Sequence, residues 1–128
     1  MEYDFARGGV DAHYFAALAD GRFEIPRCED CTRSHFYPRA VCPYCGSARL
    51  VWVLASGEGT IYSTSTVHPR EGDAYNVALV DLSEGPRLMT RIEQIAPEQV
   101  RIGSPVRSRI VSEGGDPLLV FVPREASA

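Results

Sequence analysis

In the second half of the chain apolar residues alternate with polar ones or form short unbroken runs cut by Gly, Pro and Ser, the pattern of strands rather than helices. Residues 60–68 are rich in β-branched and aromatic side chains, with Ser56-Gly57 and Gly59 marking a turn or bulge ahead of them. After a loop over 69–73, residues 76–82 form an almost unbroken apolar run suited to an inner wall. The turn sequence Ser83-Glu84-Gly85-Pro86 sends residues 87–92 back antiparallel. Residues 97–100 offer one helical turn, closed by Gly103. Residues 105–111 alternate, 113–116 turn, and 118–122 form the last strand. Five strands with a break between the third and fourth predict a five-stranded Greek-key barrel of the OB type over residues 56–128, with an SH3-like barrel as the competing topology.

The first half has a different rhythm. Residues 1–9 read as a loose arm. Asp11 is a candidate N-cap, Tyr14, Phe15 and Leu18 share one helical face, and Gly21 stands where a left-handed residue ends a helix. These predict a helix of about ten residues within an N-terminal segment 1–21, docked on its own chain or on a partner because isolated helices of this length are marginal. Residues 22–27 alternate and lead into a cysteine pair. After a second pair, Leu50, Trp52 and Leu54 face one way and Val51 and Val53 the other. Residues 22–55 therefore read as a ribbon with a leading and an exit strand. No Ser/Pro linker separates it from the barrel, so the two are expected to pack together. The predicted fold class is mainly β: a short N-terminal helix, a four-cysteine ribbon and a C-terminal barrel.

The chemistry is concentrated in the ribbon. All four cysteines lie in two C-x2-C pairs, Cys28/Cys31 and Cys42/Cys45, separated by ten residues. Two such turns face four sulfurs toward one point, a closed structural metal site. Zinc suits four tetrahedral thiolates best, and iron is the alternative. Gly46 after the second pair can take positive φ, whereas Thr32 follows the first, so that knuckle is expected to form without the same freedom. His35 is expected to be a surface or hydrogen-bonding residue, since four thiolates already fill the coordination sphere. Phe36 and Tyr37 are more aromatic surface than so small a ribbon buries by itself.

Composition narrows the function. At 128 residues and 45% hydrophobic, the chain makes one ordinary domain or a small module plus a compact one, and it has no run long enough to span a membrane. No signal peptide is visible, so a cytoplasmic protein with reduced cysteines is expected. A net charge of −4 argues against general nucleic-acid binding, and all 13 basic residues are arginine, which removes Schiff-base lysine chemistry. His13, His35 and His68 are far apart in sequence, and no nucleophile elbow or phosphate-binding glycine loop is present. Glu29 and Asp30 read as solvated. Arg107 and Arg109 share a strand face, as solubilising charge or an anion contact.

Four blocks together resemble a known family. They are Gly21-Arg22-Phe23 after the helix, the two cysteine pairs enclosing Phe36-Tyr37-Pro38-Arg39, the run from Ser56 to Ser63, and the run from Tyr75 to Gly85. In order and spacing they are similar to the thiolase-associated zinc-ribbon plus OB-fold proteins catalogued as domain of unknown function 35. The resemblance implies a rubredoxin-like zinc ribbon with Cys28, Cys31, Cys42 and Cys45 as ligands, an OB barrel, and no catalytic residues. It implies a non-catalytic accessory subunit of a thiolase-like or lipid-transfer-type thiolase enzyme, one that helps to bind or channel acyl-CoA. On that reading Phe36, Tyr37 and Tyr44 face the partner, and the isolated chain is a candidate for homodimerisation. Two other classes stay open. A nucleic-acid-binding OB module would use barrel aromatics such as Tyr62 and Phe121, and a rubredoxin-like electron carrier would hold iron.

Overall fold

The computed structural model describes residues 12–36 and 38–124. The expected arm, Asp11 and Tyr37 lie outside them. Helix α1 (Ala12–Ala19) buries Tyr14, Ala17 and Leu18, while Phe15, expected on the same face, is about half exposed. The helix ends as its sequence dictates. Gly21 has φ +83°, its N–H donates to the Leu18 carbonyl, and the Arg22 N–H reaches back to Ala17, the paired bonds of a Schellman motif.

Strands β1 (Glu24–Cys28) and β2 (Leu50–Leu54) pair antiparallel, with Glu24 opposite Leu54 and Cys28 opposite Leu50. They hold the two ends of the ribbon together. Helix α1 is pinned to this pair by His13, whose ring stacks on Trp52 at 4.5 Å and whose Nε2 lies 2.6 Å from Glu24.

The barrel comprises β3 (Glu58–Val67), β4 (Tyr75–Leu82), β5 (Arg87–Thr90), β6 (Pro105–Glu113) and β7 (Asp116–Pro123), ordered β5-β4-β3-β6-β7. A 3-10 turn at Pro97–Gln99 fills the break between β5 and β6. The sheet curls until its edges meet just beyond β5, where Ile92 and Phe121 form a parallel bridge. Phe121 there donates its N–H to Arg91 and accepts from Glu93. This order, closed by a parallel contact of the third barrel strand with the fifth, is the OB arrangement and not the SH3-like one.

Local sequence explains how the sheet bends. Strand β4 alternates, burying Asn76, Ala78, Val80 and Leu82. Between the pairs Ile61–Val80 and Ser63–Leu79, Tyr62 is the extra residue of a bulge, which turns its ring outward. Gly59 passes so close to β4 that a Cβ there would stand 2.6 Å from Val80 Cγ1 and 2.9 Å from the Asp81 carbonyl oxygen. Asn76 is a buried polar residue with a structural task. Its side-chain amide donates to Thr64 and its oxygen accepts the Ile92 N–H at 2.8 Å, which fixes the segment that closes the barrel.

One core runs through helix, ribbon and barrel. Tyr14, Leu18, Phe23 and Ile25 pack in the same buried cluster as Ile61, Val80, Leu88, Leu119 and Phe121, and α1 lies against both β1 and β7. The expected contact between ribbon and barrel is therefore direct. Among the described residues no helix is long and apolar enough to cross a membrane.

Candidate metal centre

The two cysteine pairs fold into matching knuckles. In the first, the Cys28 N–H donates to the Arg33 carbonyl and the Thr32 N–H to the Cys28 carbonyl. In the second, Cys42 donates to Ser47 and Gly46 to Cys42. Each repeats one five-residue loop, and each aims a backbone N–H at its first sulfur: Cys31 N lies 3.5 Å from Cys28 Sγ and Tyr44 N lies 3.4 Å from Cys42 Sγ. The matching loops require the same backbone at their fifth residue. Gly46 has φ +79° and Thr32 has φ +67°. Thr32 thus adopts a left-handed backbone that was not expected of it, because the knuckle geometry overrides the preference of a β-branched side chain.

That strain is testable. Thr32→Gly relieves roughly 1–2 kcal/mol of left-handed strain and costs roughly 0.5–1 kcal/mol in added freedom of the unfolded chain. A net stabilisation of about 0.5–1 kcal/mol is expected in chemical denaturation of the metal-loaded chain. A destabilised variant would show that the knuckle holds Thr32 without strain.

All four sulfurs lie within 4.8 Å of one another. Cys28 and Cys45 Sγ are 3.5 Å apart, and Cys31 and Cys42 Sγ are 3.6 Å apart. A tetrahedron with metal–sulfur bonds of ~2.3 Å has sulfur–sulfur edges of about 3.8 Å. The cysteines therefore fit a metal ion closely, and the separations are far from those of disulfides. The Cys31 N–H leads in holding the Cys28 thiol down at about 7, while at Cys42 burial opposes ionisation but the Tyr44 and Cys45 N–H groups still bring the thiol down. Cys28 and Cys42 are buried, Cys31 is half-buried and Cys45 is exposed. The cage is closed on one side and reaches solvent at one corner.

A polar brace joins the knuckles, which the sequence did not reveal. Asp30 accepts hydrogen bonds from Ser47 and from Arg49, the latter at 2.7 Å, and Glu29 N–H donates to the Arg49 carbonyl. Asp30 is thus tied to the opposite knuckle rather than simply solvated. The signal was its place inside the first pair, opposite the residues that follow the second.

His35 differs from its expectation. It is buried, and neither ring nitrogen has a hydrogen-bond partner among the described residues. Burial, then the charge of Arg39, pushes its pKa down and keeps the ring neutral. The cause is the docking of His35 and Phe36 on the barrel side of the ribbon, a tertiary event that spacing does not foretell. Phe36 is half-buried, edge-on to Tyr14 at 5.7 Å and to Phe23 at 6.3 Å, whereas Tyr44 is exposed beneath Arg33. A shallow apolar groove lies between α1 and the barrel, lined by Phe15, Phe36 and Met89 among others, with Met89 70% exposed.

The other candidates do not converge. Phe121 is fully buried, so it offers no face to a base, and the Tyr62 ring is covered by Arg87 at 3.3 Å. His68 is exposed on the loop after β3, and Arg107 and Arg109 point outward from β6.

Comparison with known proteins agrees with this architecture. Residues 15–51 match the family profile for the ChsH2 rubredoxin-like zinc ribbon domain, and residues 52–111 match that for the ChsH2 C-terminal OB-fold domain. A DUF35 domain-containing scaffold protein of Methanocaldococcus jannaschii is 32% identical over 104 residues, which are 74% of this chain and 74% of that one. A probable enoyl-CoA hydratase alpha subunit of Thermomonospora curvata is 40% identical over 100 residues, covering 75% of this chain but only 31% of the relative. The chain thus spans less than a third of that subunit. Among solved structures, the Ltp2-ChsH2(DUF35) aldolase superposes with a TM-score of 0.77 at 37% identity, covering 88% of this chain and 93% of that one.

Proposed function

Because the chain belongs to the DUF35 family of zinc-ribbon and OB-fold proteins, we propose that it is a non-catalytic accessory subunit of a thiolase-like enzyme acting on acyl-CoA thioesters. The observation that carries this reading is the likeness to a chain of the Ltp2-ChsH2(DUF35) aldolase, over 88% of this chain and 93% of that one. The scaffold name of one relative and the hydratase-subunit name of another support it.

The chemistry of the described residues supports it as well. The four thiols are gathered in one cage, His35 is enclosed, and His13 is occupied by Glu24 and Trp52. Among the described residues no serine or cysteine is hydrogen-bonded to a histidine, and the Ser47 hydroxyl that meets Asp30 belongs to the brace between the knuckles. The groove beside Phe15 and Met89 and the exposed Tyr44 supply apolar and aromatic surface for an enzyme to cover.

In the same reading the four cysteines hold zinc, which organises the ribbon and takes no part in reaction. Elemental analysis of a colourless preparation with about one zinc per chain supports this; a red preparation containing iron overturns it.

The decisive experiment is co-expression of the tagged chain with a thiolase-fold protein encoded beside it. A stoichiometric complex is expected, with CoA-thioester turnover that is lost when this chain is omitted. Separate elution of the two proteins, with turnover by the enzyme alone, would overturn the reading.

A further inference from the structure

One end of the barrel is not filled. Between β5 and β6 the chain crosses that end as a single 3-10 turn with its flanking residues, and a hollow of about 210 Å³ is left there, lined on the side of the turn by Ile95 and Val100. Ile61, Ile92, Val100 and Val106 are all buried around it. The interiors of small barrels are ordinarily packed solid with side chains. A hollow walled by aliphatic groups gives water nothing to bond to and takes up apolar matter instead, as engineered cavities of ~150 Å³ take up benzene.

The rim of the hollow is cationic, although the chain as a whole carries a net −4. Arg101 and Arg124 both line it, together with Ser104. Arg124 is already engaged, its Nη1 lying 2.8 Å from a carboxylate oxygen of Glu58. Arg101 is exposed and is ion-paired to no carboxylate among the described residues. Its Nη1 donates to the Glu98 carbonyl at 2.7 Å and to the Val100 carbonyl at 3.4 Å, which ties the side chain to the 3-10 turn and leaves Nε and Nη2 for another acceptor. A guanidinium held in this way gives up little freedom on meeting an anion. Ser104, half-buried on the same lining, carries a hydroxyl as a further donor.

An aliphatic interior with a fixed cation at its rim fits a molecule that has an apolar tail and an anionic head. A single guanidinium without a carboxylate partner matches the one charge and two oxygens of a carboxylate. Scaled from the cavity that holds benzene, the hollow has room for a tail of about eight carbons. We propose that this end of the barrel binds a medium-chain aliphatic monocarboxylate, with the tail among Ile61, Ile92, Val100 and Val106 and the carboxylate on Arg101. The site is formed by this chain alone. It does not depend on the accessory-subunit reading, and each survives the failure of the other.

The test is calorimetric titration of the full metal-loaded chain with octanoate, 1-octanol, octylamine and acetate. Octanoate is expected to bind best and octanol about tenfold more weakly, with no measurable binding of octylamine or acetate. Arg101→Ala is expected to weaken octanoate by about tenfold and leave octanol unchanged, with Arg101→Lys intermediate for octanoate. Ile95→Trp, which fills the hollow from its half-buried side, should weaken octanoate and octanol alike. Arg107→Ala, on the outer face of β6, should bind octanoate like the unaltered chain, and circular dichroism should show the arginine variants folded. Absence of octanoate binding at millimolar concentration, or an Arg101→Ala chain that binds octanoate as well as the original, would overturn the proposal. Equal affinity for octanoate and octanol would overturn it too, in favour of a plain apolar crevice.

Discussion

Replacing Cys28 with serine is expected to abolish metal retention and unfold the ribbon, the largest effect of any single change considered. Cys28 is fully buried at the end of β1, and its backbone makes both closing bonds of the first knuckle. In small metal-organised modules the free energy of binding is largely free energy of folding, on the order of several kcal/mol. Bound metal should fall from about one equivalent per chain to nearly none. The damage should spread, because α1 rests on β1 and its Leu18 shares a core with the barrel. Near-ultraviolet circular dichroism of Trp52, which stacks on His13, reports this directly. Chelation of the unaltered chain should give the same spectrum. Cys45→Ser, at the exposed corner, should lose metal faster than the unaltered chain yet keep more residual structure than the Cys28 variant. A Cys28→Ser chain with unchanged melting temperature would remove the metal from any structural role.

Phe121→Ala is expected to be nearly as damaging, but through the barrel. The ring is fully buried, and truncating a buried phenylalanine costs about 3–5 kcal/mol in lost transfer energy and residual cavity. That is a large share of the ~5–15 kcal/mol by which ordinary domains are stable. The position aggravates the loss, because the Phe121 backbone forms the bridge with Ile92 that joins the two edges of the sheet. Urea denaturation should show a lower midpoint, and hydrogen exchange should show early loss of protection at Glu93 and Phe121, whose amides make the closing bonds. Ile110→Ala, at a half-buried position on β6, should cost clearly less. Equal costs at the two sites would mean that the seam adds nothing to ordinary burial.

The parts of this architecture written in local chemistry were legible before folding. Gly21 announces the end of α1 because only a residue free of Cβ takes that conformation cheaply. The double C-x2-C pattern announces a cage because sulfurs two residues apart must share one side of a turn. The apolar run of β4, the alternation in β6 and the Gly114-Gly115 turn between β6 and β7, with positive φ at both glycines, announce a barrel built of hairpins. What escaped the sequence depends on distant partners. Asn76 looked like one polar residue at the start of an apolar strand, and its role exists only because Thr64 and Ile92 arrive from other strands. Thr32 gave no sign of left-handed backbone, since the demand comes from the geometry of a loop that matches the one ending at Gly46. His35 is buried because the loop that carries it folds inward.

The shared core has a meaning for the ancestry of the chain. Tyr14, Phe23 and Phe36 interlock edge to edge, and the first two belong to the same buried cluster as Leu88 and Leu119 of the barrel. A gene rearrangement that joined this ribbon to a barrel from another lineage would bring together two halves of a mismatched wall. The two halves share one wall, so a change of side-chain size in one is expected to cost stability until a change in the other answers it.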